Sequence, residues 1–353
     1  MRQLTFAQAI REAVDLAMER DPNVYIMGLG VPDPRGIFGT TLGLREKYGA
    51  SRAMDTPTSE NAMTGIAIGS ALCGMRPIVT HQRVDFALLA VEQVVNQAAK
   101  WHYMFGGRAS VPLVIRLIVG RGWGQGAQHS QSLQAWFAHV PGLKVVMPAN
   151  AQDAKGLLIS GIYDNNPVIY LEHRWLHETF GVVPEGIYTT PIGKAHIARP
   201  GSDLTVVATS YAVVEALRCA EVLARSGVQA EVVDVRTLRP WDKDTVLESV
   251  LRTGCLMVAD TGWITGGFGG EVLAVVAELA WGKLKCPPRR FGMADCPMPT
   301  SSGLSRFCYA RPSHLYTAAC EMLGVAVQAE HTALFHEDGV PHDAPDRSFK
   351  GPF

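Results

Sequence analysis

The feature that most constrains this chain is an alternation of short apolar runs with helical stretches that breaks off near residue 182 and then begins again. In the first pass, Phe6, Ile10, Ala13, Val14, Ala17 and Met18 recur at helical spacing until Asp21-Pro22 interrupts them. Residues 24–27, 77–79, 112–117, 143–146 and 167–171 read as strands, and 60–73, 86–100 and 151–163 as helices. After a Pro/Gly-bearing stretch at 182–191 the second pass gives strands at 204–208, 230–234 and 256–259, with helices at 212–226 and 242–252. A further helix opens at Gly266-Gly-Phe-Gly-Gly270 and runs through Ala280. Alternation of this kind is met by a parallel sheet with helices on its faces, so the expected fold class is α/β with two parallel-sheet domains. The expected division is a first domain over 1–185, a linker over 186–200, a second domain over 201–327, and an irregular tail over 328–353.

Composition excludes several function classes. A net charge of −1 leaves no electrostatic footprint for nucleic acid. No apolar run reaches the roughly 18 residues of a membrane span, and the N-terminal segment lacks the apolar core of a signal peptide. Seven cysteines are scattered without a Cys-x-x-Cys pair, which fits reduced thiols in a cytoplasmic protein and argues against structural zinc. With 47% hydrophobic and 18% charged residues, part of the surface is expected to lie under partner subunits.

Glu60 is the first candidate for chemistry. It stands where Asp55-Thr-Pro-Thr-Ser-Glu60 runs into a helix of small and apolar residues, with Asp55, Thr58 and Ser59 as capping candidates. Gly65, Ala67, Gly69 and Ala71 let a neighbour approach that helix. Two readings are open: a carboxylate desolvated for proton transfer, or a first-turn glutamate that only complements the helix dipole. His129 follows the glycine-rich loop Gly120-Arg-Gly-Trp-Gly-Gln-Gly126, which places it on backbone able to approach a ligand; a structural histidine is the other reading. Neither this loop nor 266–270 continues into the Gly-Lys-Ser/Thr of a phosphate loop, and the second reads as a helix-opening turn. Gly-x-Ser-x-Gly and His-Glu-x-x-His are both absent, and Cys296 reads as a small buried turn residue.

Ordered blocks then identify a family. Asp55-Thr-Pro-Thr-Ser-Glu60, Arg76-Pro-Ile78, Glu92-Gln-Val-Val-Asn-Gln-Ala-Ala-Lys100 and Tyr103-Met-Phe-Gly-Gly107 are followed by Gln128-His-Ser-Gln-Ser132 and Val140-Pro-Gly-Leu-Lys-Val-Val146. Asp153-Ala-Lys-Gly-Leu157, Asp164-Asn-Asn-Pro-Val168 and Thr237-Leu-Arg-Pro-Trp-Asp242 continue the series. Over roughly residues 3–325 the chain resembles the beta subunit of the thiamine-diphosphate-dependent 2-oxoacid dehydrogenases (pyruvate, branched-chain and acetoin types), of the transketolase-like superfamily. The resemblance implies a thiamine-diphosphate pyrimidine-binding domain followed by a transketolase C-terminal-type domain. It assigns Glu60 to the pyrimidine ring nitrogen, Phe86 to the pyrimidine face, Gln82 to the same pocket, and His129 to the acyl group or its acceptor. It also aligns Leu113, Gly161, Ile162, Asp164 and Asn166 with the oxygens around a structural potassium ion. The chain lacks the Gly-Asp-Gly and following Asn that bind magnesium and diphosphate, which the family carries on an alpha subunit. The resemblance therefore implies an α2β2 heterotetramer, with thiamine diphosphate shared between subunits and Mg2+ on the alpha subunit.

Departures from the pattern bear on the reaction. Leu29 stands where the family usually has an acid, and Asp260-Thr-Gly262 where it often has a glutamate. Thr80-His81-Gln82-Arg83 replaces a mostly apolar or acidic segment, making His81 and Arg83 candidates for a substrate carboxylate or phosphate; a subunit-interface ion pair is the other reading of Arg83. The chain also continues past the region of resemblance, where the family's C-terminus helps hold a lipoyl acyltransferase core, and this weakens the case for such docking. The expected function is decarboxylation of a 2-oxoacid with transfer of the acyl group to a lipoyl acceptor. Two alternatives are a carboligase passing the acyl carbanion to an aldehyde or ketone in sugar or secondary metabolism, and a non-catalytic partner that stabilises an alpha subunit.

Overall fold

The computed structural model describes residues 2–120, 124–336, 340–346 and 349. Arg121, Gly122 and Trp123 of the first glycine-rich loop lie outside the described residues, as do 337–339, 347, 348 and 350–353 of the expected tail. The first half of the chain supplies β1 (Gln3–Thr5), β2 (Val24–Met27), β3 (Ala53–Met54), β4 (Arg76–His81), β5 (Val114–Val119), β6 (Lys144–Val146), β7 (Val168–His173) and β8 (Phe180–Val182). The second half supplies β9 (His196–Arg199), β10 (Leu204–Ala208), β11 (Ala230–Asp234), β12 (Thr237–Arg239), β13 (Leu256–Trp263) and β14 (Arg289–Met293). One sheet has the order β12-β6-β7-β5-β4-β2-β3 and the other β14-β13-β10-β11-β9, while β1 and β8 form a small antiparallel pair. Every pairing in the two larger sheets is parallel except β12 on β6 and β9 on β11.

β5 and β7 are buried along their whole length, which is why they read as apolar runs rather than as an alternating pattern. Two charges interrupt those runs. Arg116 and Glu172 are both 0% exposed, and Arg116 Nη2 donates to Glu172 Oε1 at 2.7 Å. The register sets Arg116 opposite Tyr170 and Ile118 opposite Glu172, so the two charges are diagonal neighbours on one face. His177 Nε2 lies 3.6 Å from the other carboxylate oxygen. Burial pushes the Glu172 carboxyl up, yet Arg116 and His177 together hold it below its ordinary range. The helix Ala151–Ile162, capped by the Asn150 side chain on the Asp153 N–H, packs on the opening helix Phe6–Arg20. There the fully buried Lys155 donates to Glu12 at 2.5 Å and to the Pro184 carbonyl at 2.9 Å.

Several elements differ from expectation because their partners are far away in sequence. The helix expected at 86–100 is broken into Val84–Ala87, a tight turn Leu88–Ala90, a wide turn Gln93–Ala98 and Ala99–Met104. Gln93 in the wide turn packs on Gly65, where a Cβ would come within 3.3 Å of its amide oxygen. Gly69 faces open space among the described residues. Within the expected linker, 196–199 form β9, and Tyr188 and Thr190 are hydrogen-bonded along the Ala151–Ile162 helix. β12 arises beyond that linker but completes the first sheet. The expected irregular tail begins with a short helix, Ala329–Ala333, and His331 there lies 3.0 Å from Ser226 Oγ and 3.1 Å from Tyr316 Oη. Arg311 then donates to the carbonyls of His342 and Ala344, and Phe349 comes within 6.3 Å of Trp175. Among the described residues no helix is long and apolar enough to cross a membrane.

Glu172→Gln leaves the Arg116 guanidinium buried without its counter-charge, and we expect a loss of about 3–5 kcal/mol in denaturant unfolding. The double variant Arg116→Met, Glu172→Met should lose much less. A single variant as stable as the parent would show that the pair does not hold β5 to β7.

Candidate active site

A cleft opens at the carboxyl ends of β2 and β4, lined by Leu29, Pro57, Glu60, Met63, His81, Gln82 and Phe86 among others. Two glycines let the end of β2 pass beneath β4. A Cβ on Gly28 would stand 2.3 Å from the Thr80 carbonyl, and Gly30, at φ +80°, would set one 2.8 Å from the Gln82 amide nitrogen. Asp55 does not cap the helix; its carboxylate accepts from the N–H of Gly30 and of Thr56, both at 3.0 Å. Ser59 occupies the capping position with no side-chain hydrogen bond.

Glu60 is therefore the first residue of the helix Glu60–Leu72. It is half-buried. Its carboxylate makes no hydrogen bond or ion pair among the described residues, and it borders the same cleft as Phe86 and Gln82.

The floor of the cleft is polar and largely sealed. His81 is 2% exposed, with Nε2 3.4 Å from Thr64 Oγ1 and Nδ1 buried without a partner among the described residues. Burial drives its imidazole down to about 4, so it is neutral at physiological pH. Gln82 donates to the Leu29 carbonyl at 3.2 Å. Arg83 is buried, and Nη1 donates to the His129 carbonyl at 2.8 Å. Burial lowers that guanidinium to about 10, which leaves it charged. The Phe86 and His129 rings meet edge to face at 5.4 Å, which brings His129 to the cleft.

The His129 loop is tied down on two sides. Towards β4, Arg83 holds the His129 carbonyl and Asp85 accepts from the Gln131 amide at 2.8 Å. Towards the second sheet, Ser132 Oγ lies 3.0 Å from Thr261 Oγ1, and the Gln134 amide donates to Asp260 at 2.7 Å. Thr209 donates to the same Asp260 oxygen at 2.9 Å. Gln131, Ser132, Gln134, Thr209 and Thr261 were not site candidates in the sequence, and only the unusual Asp260-Thr-Gly262 hinted at this contact.

The residues aligned with potassium do come together, at the end of the Ala151–Ile162 helix. Oxygens of four of the five, Leu113, Gly161, Ile162 and Asp164, already receive donors. Arg76 Nη1 donates to the carbonyls of Ile162 at 3.1 Å and Asp164 at 3.0 Å. The Leu113 carbonyl accepts from Val168 N–H at 2.9 Å, and that of Gly161 from Asp164 N–H at 3.2 Å. The Asp164 carboxylate pairs with Lys144 and accepts from Asn166 N–H. Cys296 is exposed, contrary to the buried reading of that turn.

Comparison with known proteins agrees with this architecture. Residues 2–178 match the transketolase pyrimidine binding domain, and 193–313 match the transketolase C-terminal domain. The beta subunit of the acetoin:2,6-dichlorophenolindophenol oxidoreductase of Cupriavidus necator is 44% identical over 334 residues, covering 90% of this chain and 97% of that protein. The beta subunit of the pyruvate dehydrogenase E1 component of Rickettsia felis is 40% identical over 316 residues, covering 90% and 97%. The mitochondrial beta-2 subunit of the same component from Oryza sativa is 39% identical over 336 residues, covering 94% and 89%. Among solved structures, a split-gene transketolase in an inactive beta4 tetramer superposes with a TM-score of 0.73 over 91% of this chain and 99% of that one; at 21% identity it speaks to the fold alone.

His81 gives the site a pH signature. Its folded value of about 4 lies below its ordinary 6.5, so the unfolded chain takes up a proton that the folded chain refuses. Stability from this group is complete above pH 6.5 and is lost as pH falls through 4, on the order of 3 kcal/mol in all. Melting curves across that window should fall less steeply for His81→Phe than for the parent. Parallel slopes would remove His81 as the cause.

Proposed function

The chain belongs to the transketolase-type beta subunits of the 2-oxoacid dehydrogenases, and from that premise we propose that its cleft is the pyrimidine half of a thiamine diphosphate site. Its cofactor is thiamine diphosphate, and its working form includes an alpha subunit. The observation that carries the reading is the Glu60 carboxylate, which borders the cleft beside Phe86 and Gln82 without a partner among the described residues. When bound, thiamine diphosphate supplies the carbon nucleophile for a 2-oxoacid carbonyl and takes up the electrons left by departing carbon dioxide. Glu60 holds and exchanges a proton at the pyrimidine ring nitrogen, and its partial burial directs that exchange better than open water does. Phe86 and Gln82 orient the ring. His129 holds a proton for the acyl group or its acceptor, on a main chain fixed by Arg83. Arg83 thereby has one nitrogen committed to positioning, and His81, neutral and buried, shapes the wall rather than offering charge to a substrate.

On this reading magnesium and the diphosphate are held by the alpha subunit, because the chain has no Gly-Asp-Gly with a following Asn. Potassium fits the residues aligned with it poorly. It would stand beside Arg76 and Lys144, whose charges already serve the carbonyls of Ile162 and Asp164 and the Asp164 carboxylate. An α2β2 assembly is supported by the apolar surface: Tyr103 is 87% and Trp136 60% exposed, and both border a groove of about 1190 Å³.

The preferred acceptor is a lipoyl group; a carboligase using an aldehyde or ketone is the alternative. Reductive acylation of a lipoyl domain by the purified α/β pair tests the choice. Failure with all common 2-oxoacids, together with product from an aldehyde acceptor, would overturn the lipoyl assignment. Glu60→Gln should lower kcat by about 100-fold or more while the α/β assembly elutes unchanged from a sizing column. Unaltered turnover would instead support a purely stabilising role for the chain.

A further inference from the structure

The seven cysteines have no paired spacing in sequence, yet the fold brings four of them into two contacts. Cys255 and Cys286 stand 3.5 Å apart at Sγ, and neither is exposed. Cys296 and Cys308 stand 3.6 Å apart with a different asymmetry, since Cys296 is exposed and Cys308 buried. The 296–308 segment is drawn together by its own backbone, with Ala294 N–H donating to the Cys308 carbonyl at 2.9 Å and Cys296 N–H to the Ala294 carbonyl. Between the two cysteines in sequence lies Thr300, which packs onto the His129 loop: a Cβ on Gly126 would come within 2.9 Å of Thr300 Oγ1. The Gly126 carbonyl in turn accepts from the His129 N–H at 3.5 Å.

We propose that Cys296 and Cys308 form a reversible disulfide, a modification site one contact from the His129 loop, with a small disulfide such as oxidised glutathione as the oxidant. Cys296, the sulfur solvent reaches, loses its proton to water and attacks one sulfur of the small disulfide. That S–S bond breaks and one small thiolate leaves. Cys308 then gives up its proton and attacks Cys296 Sγ, releasing the second small thiolate. Two protein thiols are oxidised and one small disulfide is reduced to two thiols. Burial pushes the Cys308 thiol up to about 11, which suits it to the second step rather than the first. The sulfurs have to close from 3.6 Å to a bond of about 2.05 Å. Cys73 is exposed but has no neighbouring thiol to resolve an adduct, so it stops at the mixed disulfide. The proposal does not depend on the cofactor assignment.

The test incubates the full chain with oxidised glutathione and maps its peptides by mass under non-reducing conditions. The expected product is a 296–308 cross-link lacking two hydrogens, reversed by dithiothreitol, with any adduct at Cys73 remaining mixed. Cys308→Ser should instead accumulate a glutathione adduct on Cys296, and Cys296→Ser should give neither product. A stable adduct on Cys296 of the parent without the cross-link, or no reaction at Cys296, would overturn the proposal. Circular dichroism of both variants confirms that their outcomes come from folded protein.

Discussion

The cleft hangs from the ends of strands that are sealed on both faces, and sealing a strand that carries a full charge requires a partner for that charge. Arg116 in β5 and Glu172 in β7 meet this requirement for each other, with His177 beside them. An isolated charge in that position would either be expelled or neutralised, and either outcome would loosen the middle of the first sheet. β5 leads into the loop that carries His129, and its neighbour β4 ends at His81 and runs on to Gln82, Arg83 and Phe86. The register of those two strands thus sets where a histidine, an arginine and an aromatic ring can meet. Glu60 arrives from the other side, on a helix whose start is fixed by Asp55 gripping the backbone of Gly30.

The sequence made the parallel strands and their helices legible because burial on both faces leaves a local mark, a run of apolar residues of strand length. It also placed Glu60 at the start of its helix, since the change from turn-forming to apolar residues is local too. What it hid depends on contacts across long separations. β12 looks like a loop until β6 provides its partner, and β9 looks like linker until β11 does. The Gln134–Asp260 bond joins residues 126 positions apart, and no spacing rule reaches that far. The same limit explains the cysteines, which are scattered in sequence and paired in space.

Local rules also misled where a side chain had two uses. Asp55 and Ser59 are good capping residues, and the helix nevertheless starts without a side-chain cap, because Asp55 is employed in holding β2 against the cleft. Arg76 shows the same pattern at the other end of the sheet, where a residue inside a strand-forming block reaches two carbonyls at a helix end. In both places a conformational cost at a terminus is offset by a tertiary contact, which periodicity cannot register.

Among the described residues, the second domain reaches the site through side-chain contacts at both ends of the His129 loop. Thr261 and Asp260 fasten one end of the His129 loop from β13, and Thr300 packs on the other end at Gly126. Arg83 and Asp85 fasten the middle from the first domain. A loop held at both flanks by one domain and at its centre by the other cannot move without disturbing both. His129 is thus positioned by the relation between the two sheets as much as by its own sequence.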